Sequence, residues 1–76
     1  MKAIEVYQWL KAKGPSSATA TTDIAAHFQV SYSGAHHLMV RWLPRGAWVR
    51  ERIGREYWYT VRRDSVPPPE VTCRSR

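Results

Sequence analysis

Residues 21–39, Thr21-Thr22-Asp23-Ile24-Ala25-Ala26-His27-Phe28-Gln29-Val30-Ser31-Tyr32-Ser33-Gly34-Ala35-His36-His37-Leu38-Met39, hold two helix starts in quick succession. Thr21 or Thr22 suits an N-cap, and Asp23 falls in the first turn, where the helix dipole favours an anion. Ile24, Ala25 and Phe28 follow at helical spacing, and this short helix should end around Gln29-Val30. Ser31 suits a second N-cap. The helix it opens puts Ala35, Leu38, Met39, Trp42 and Leu43 on one face, and Pro44 with Gly46 closes it. Two helices across a turn of about three residues, with the small Ala25 in the first and a buried Val30 in the turn, have the spacing of a helix-turn-helix.

Upstream, Ala3, Val6, Tyr7 and Leu10 recur at three- and four-residue steps, which predicts a helix over 2–13. Lys11 and Lys13 lie in its last turn, and Gly14-Pro15 stops it. Residues 15–20 read as a loop with a short extended piece at its end. Downstream of Gly46 the period changes. Trp48, Val49 and Ile53 mix with Arg50, Glu51 and Arg52, and then comes the β-rich run Tyr57-Trp58-Tyr59-Thr60-Val61. An Ile53-Gly54-Arg55-Glu56 turn between them makes a hairpin. The expectation is a mostly α chain with a small β-hairpin (α+β): a winged helix-turn-helix of three helices plus wing, over residues 1–63. From Asp64 periodicity is lost, and Val66-Pro67-Pro68-Pro69-Glu70 reads as extended polyproline. Residues 64–76 are therefore expected to be a flexible Pro-rich tail.

The chain has 76 residues, enough for one small domain with a marginal core. Cys73 is its only cysteine, so neither a disulfide nor a Cys-ligated zinc can staple that core. A lone thiol fits a reducing, cytoplasmic compartment. No stretch approaches the roughly 20 apolar residues of a membrane span, and the N-terminal stretch lacks the apolar segment of a secretory signal.

The formal net charge is +6, unevenly spread. Residues 41–63 carry Arg41, Arg45, Arg50, Arg52, Arg55, Arg62 and Arg63 against Glu51 and Glu56 only. Every base there is arginine, whose planar fork fits phosphate and guanine edges. A local arginine excess is the footprint of a polyanion binder. The plainer reading is a solvated strand pair that happens to be basic.

In a helix-turn-helix the second helix enters the major groove by its front end. With Ala35, Leu38, Met39 and Trp42 facing inward, Tyr32, Ser33, His36, His37 and Val40 point outward or sideways. Tyr32, Ser33, His36 and His37 can meet base edges or phosphates. Ser31 opens the helix with free amides that favour phosphate. Gly34 costs about 1 kcal/mol of helix propensity relative to alanine, which suggests close backbone approach to DNA or to a neighbouring helix. Arg41, Arg50, Arg52 and Arg55 would hold phosphate. The expected partner is double-stranded DNA.

Each candidate has a plainer counterpart. Tyr32 could cap the core. Adjacent residues diverge by about 100° on a helix, so His36-His37 cannot chelate one ion well, and His27 is the only other histidine. The run Tyr57-Trp58-Tyr59 should be half core, because strands alternate faces, and at least one of its rings, or Trp9 or Trp48, should stay exposed, where it can mark a protein contact. No nucleophile–base set, Gly-rich phosphate loop or carboxylate pair is present, so neither an enzyme nor a cofactor or metal is called for. Cys73 lies in the tail without a base beside it and reads as incidental.

The layout resembles the small winged-helix regulators of fimbrial (adhesin) operons of the PapI/FaeA type, over about residues 2–61. Lys2-Ala3-Ile4 through Leu10 is similar to that family's first helix. Thr22-Asp23-Ile24-Ala25, Val30-Ser31, Ala35 and the closing Gly46 resemble its helix-turn-helix, and Tyr57-Trp58-Tyr59 resembles its second wing strand. Gly34, the His36-His37 pair, Pro44 and the short wing depart from its pattern. The resemblance implies a cytoplasmic, nucleoid-associated transcription regulator that binds operon DNA together with a second, global leucine-responsive regulator. The other class left open is a protein-interaction module whose wing meets an acidic partner and whose DNA binding is weak and non-specific.

Overall fold

A computed structural model describes residues 2–69. The first helix, α1 (Ala3–Lys13), buries Ala3, Val6, Tyr7 and Leu10, the stripe its spacing predicted. The Glu5 carboxylate reaches back to accept the Lys2 amide at 3.0 Å, satisfying one free donor of the first turn. Gly14 ends the helix at φ +97°, in the region that favours glycine.

A two-residue strand, β1 (Thr19–Ala20), runs straight into α2 (Thr21–Phe28). This corrects the expected N-cap. Ala20, extended at φ −71° and ψ 153°, holds the cap position, and Thr21 is the first helical residue. The cause is tertiary. β1 pairs with β3 (Glu56–Thr60), Thr19 opposite Tyr59 and Ala20 opposite Trp58. The buried Thr21 hydroxyl donates across to the Tyr57 carbonyl at 3.2 Å and is not spent on its own helix. The neighbouring Thr22 hydroxyl donates to Glu56 Oε1 at 3.1 Å.

α2 ends without a glycine. Gln29 adopts φ +56°, the sole non-glycine residue with positive φ among the described residues. Its amide donates to the Ala26 carbonyl at 3.3 Å, and the Val30 amide to the Ala25 carbonyl at 3.0 Å. That pair of bonds is a Schellman closure. Val30, expected buried, is only half-buried, though it packs on the core.

α3 (Tyr32–Trp42) starts as predicted, with Ser31 Oγ accepting the Gly34 amide at 3.1 Å. Ala35 and Met39 are buried, with Leu38, Trp42 and Leu43 half-buried beside them. At its end the Leu43 amide bonds the Val40 carbonyl, one residue short of the α-helical acceptor. That leaves the Met39 carbonyl open, and the buried Trp48 indole N–H takes it at 2.9 Å. Trp48 thus ties the base of the wing to the middle of α3.

β2 (Val49–Ile53) and β3 form the wing through the two-residue turn Gly54-Arg55. Gly54 at φ +66° occupies the first central position, where a II′ turn places glycine. The sheet order is β1-β3-β2, antiparallel throughout, so β2 is an edge. The wing is three-stranded where a hairpin was expected; the short β1 supplies the extra strand. Three helices and this sheet make the α+β winged helix-turn-helix.

The first residues of the expected tail, 64–69, make contacts with the domain, and the rest of it lies outside the described residues. The Arg62 amide donates to Ser65 Oγ at 2.9 Å, and the Val66 amide to the Gly46 carbonyl at 2.7 Å. Pro68 is buried. The polyproline stretch therefore returns against the turn that ends α3. Cys73 lies outside the described residues. No helix among the described residues is long and apolar enough to cross a membrane.

Candidate nucleic-acid interface

Side chains directly opposite each other in an antiparallel pair share a face. Arg50 stands opposite Tyr59 and Arg52 opposite Tyr57, so these four define one face of the wing. Tyr59 is fully buried, so that face turns toward the helices. Glu51 and Trp58, Val49 and Thr60, and Ile53 and Glu56 define the other face. The wing therefore has a cationic inner face and an acidic, partly apolar outer one.

The inner face meets the front of α3 through aromatic rings. The His36 ring lies 6.2 Å from the Tyr57 ring, 29° from parallel. Tyr32 stacks on His36 at 6.0 Å and 7°. On the wing the Arg50 guanidinium sits 4.3 Å from the Tyr57 ring centre, and that of Arg52 at 6.0 Å. Such placement is attractive because the ring face is electron-rich. Arg52 Nε also donates to the Gly54 carbonyl at 3.3 Å. A continuous row, Tyr32–His36–Tyr57–Arg50/Arg52, thus joins the exposed start of α3 to the wing.

Polar atoms are left over beneath this row. The Tyr59 hydroxyl and His36 Nδ1 are buried without a hydrogen-bond partner. Burial pushes the Tyr59 phenol above its ordinary value of 10.0. Arg50 opposes part of that rise, as does Thr21 more weakly, although neither makes a hydrogen bond of good geometry to the hydroxyl. His36 consequently has only its second ring nitrogen to offer outward.

The remaining candidates divide. Tyr32 is 46% exposed, which removes the core-capping alternative. Ser33, His37 and Arg41 are exposed on one stripe at four-residue spacing, beside the stripe of Tyr32, His36 and Val40. Ser31 is exposed with its oxygen engaged as a cap. Gly34 does not approach a neighbouring helix. A Cβ there would lie 3.3 Å from Ser31 Oγ and meet nothing else within 4 Å, so its exposed side is bare backbone. Arg55 is exposed at the tip, in the turn beyond the aromatic row.

The arginine block of residues 41–63 does not form one patch. Arg45 lies over the Trp42 ring at 5.0 Å, just past α3, whose last turn holds Arg41. Arg62 and Arg63 line a groove of about 200 Å³ with Lys11, Pro15 and Val61. Arg62 follows Tyr59, the cross-strand partner of Arg50, by three residues, at most about 10 Å at 3.3 Å per residue. Tyr57 and Tyr59, in the aromatic run expected to be half core, line up with Arg52 and Arg50 on the inner wing face, Tyr57 half-buried and Tyr59 fully buried. The signal was the two-residue turn at Gly54-Arg55, which sets the cross-strand partners of Arg50 and Arg52.

His36 and His37 place their ring centres 6.2 Å apart, and no group of three metal-ligating side chains gathers among the described residues. No family model matches this chain, and neither a curated protein nor a solved structure matches it.

Proposed function

We propose that this chain is a sequence-specific DNA-binding transcription regulator. The observation that carries the reading is that Tyr32 and His36 share one face with Arg50 and Arg52 through Tyr57. The start of α3 enters the major groove, where Tyr32, Ser33, His37 and the outward nitrogen of His36 meet base edges. Arg41, Arg50, Arg52 and Arg55 hold phosphates on either side and set the register. The bare backbone at Gly34 allows close approach. The resemblance to PapI/FaeA-type regulators supports the same reading, and a regulator bound to operon DNA would sit with the nucleoid.

An NMR titration with duplex DNA tests it. Shifts should gather at residues 31–41 and 50–57. Shifts confined to Lys11, Arg62 and Arg63, or none at low salt, would refute it.

The outer face of the wing favours a protein partner in addition. Ile53 is 52% and Val49 37% exposed, flanking the half-buried Trp58 and the carboxylates of Glu51 and Glu56. A second regulator docking there would leave the inner face free for DNA. A gel shift with and without a candidate partner distinguishes a co-regulator from a chain that acts on DNA alone. Retardation that appears only with the partner favours the co-regulator.

A further inference from the structure

Tyr57 touches both halves of the candidate interface. Its ring faces His36 on α3 and carries the Arg50 and Arg52 guanidinium groups on the wing. Its own backbone is pinned, because the Tyr57 carbonyl accepts the buried Thr21 hydroxyl and Tyr57 pairs with Arg52 across the sheet. Tyr57 is thus held by the fold while its ring is offered to the exposed side chains of Arg50 and Arg52. A long arginine on a free wing samples many rotamers, and ordering it on binding weakens affinity. An arginine already lying on a fixed ring loses less.

We propose that Tyr57 is a positioning residue that holds Arg50 and Arg52 in place beside the front of α3, so that helix and wing meet one duplex as a unit. The claim rests on the DNA-binding reading above. Tyr57 itself need not touch DNA. Its effect passes through the two guanidinium groups, whose charge it does not alter.

Tyr57→Phe and Tyr57→Val test this, since valine keeps strand propensity but removes the ring. Two readouts are needed: anisotropy of a labelled mixed-sequence duplex over a range of salt, and the NMR shifts of the Arg50 side-chain protons. In the wild type and in Tyr57→Phe those protons should be displaced upfield by the ring. Tyr57→Val should return them to ordinary positions and weaken binding about two- to five-fold, the worth of an exposed cation–π contact. The salt slope should not change, because no charge is lost. In a background already lacking Arg50 and Arg52, Tyr57→Val should cost nothing further. A Tyr57→Val protein that binds as tightly as wild type, or that loses equally in that background, overturns the proposal. Wild type that ignores the duplex at low salt refutes the DNA reading instead, and the Arg50 shifts then still decide whether Tyr57 orders the wing. Should valine unfold the domain, undisplaced Arg50 protons in the wild type alone overturn the proposal.

Discussion

The salt dependence of DNA binding counts the arginines that reach phosphate. Each phosphate neutralised on a duplex contributes a slope of about −0.9 to log K against log salt. Seven arginines lie in residues 41–63, and if all engaged the slope would be about −6. Arg50 and Arg52 lie on the inner wing face with Arg55 at its tip, and Arg41 follows on α3, whereas Arg45 lies over Trp42 and Arg62 and Arg63 line a separate groove. Four engaged arginines give a slope near −3.6, a loss of roughly 150-fold in affinity between about 50 and 200 mM salt. Anisotropy of a labelled duplex over that range measures it. Arg50→Ala and Arg52→Ala should each flatten the slope by about 0.9. Arg62→Ala with Arg63→Ala should leave it unchanged. A slope near −6, or equal flattening from the Arg62/Arg63 pair, would refute the separation of these groups into two places.

Other consequences are testable on the free protein or with DNA. Gln29→Gly should stabilise by about 1 kcal/mol, because glycine adopts φ +56° without the Cβ penalty; thermal unfolding should rise by about 4–8 °C. Trp48→Phe removes the indole donor and leaves the Met39 carbonyl unsatisfied, so urea denaturation should show a loss of about 1–3 kcal/mol. Tyr59→Phe removes a buried hydroxyl that has no partner, and stability at neutral pH should hold or rise slightly. Tyr59 keeps its proton more tightly when folded, so its contribution is complete below its ordinary value of 10.0 and is lost as pH climbs above it; Tyr59→Phe should lessen that alkaline loss in circular-dichroism titrations. His36→Ala should relax sequence preference in a binding-site selection while leaving the salt slope intact.

Much of the site is readable residue by residue along the chain. Ser31 as a cap, the inward stripe of α3 and the outward position of Tyr32 depend on neighbours within one helical turn, and they appear where the spacing places them. The turn at Gly54-Arg55 is equally local. The role of Tyr57 is not, because a ring that supports arginines and a ring that fills a core look alike in a strand until the register is known.

The sequence by itself determined the three helices, the position of the wing and its supply of arginine, since periodicity, caps and breakers act over a few residues. Only the tertiary structure decided that Ala20 caps α2, because β1 had to pair with β3. It alone decided that Trp48 closes the Met39 carbonyl and that Val66 returns to Gly46. It also set Arg62 and Arg63 in a groove with Lys11 and Pro15, because the chain beyond β3 runs past the wing toward the end of α1.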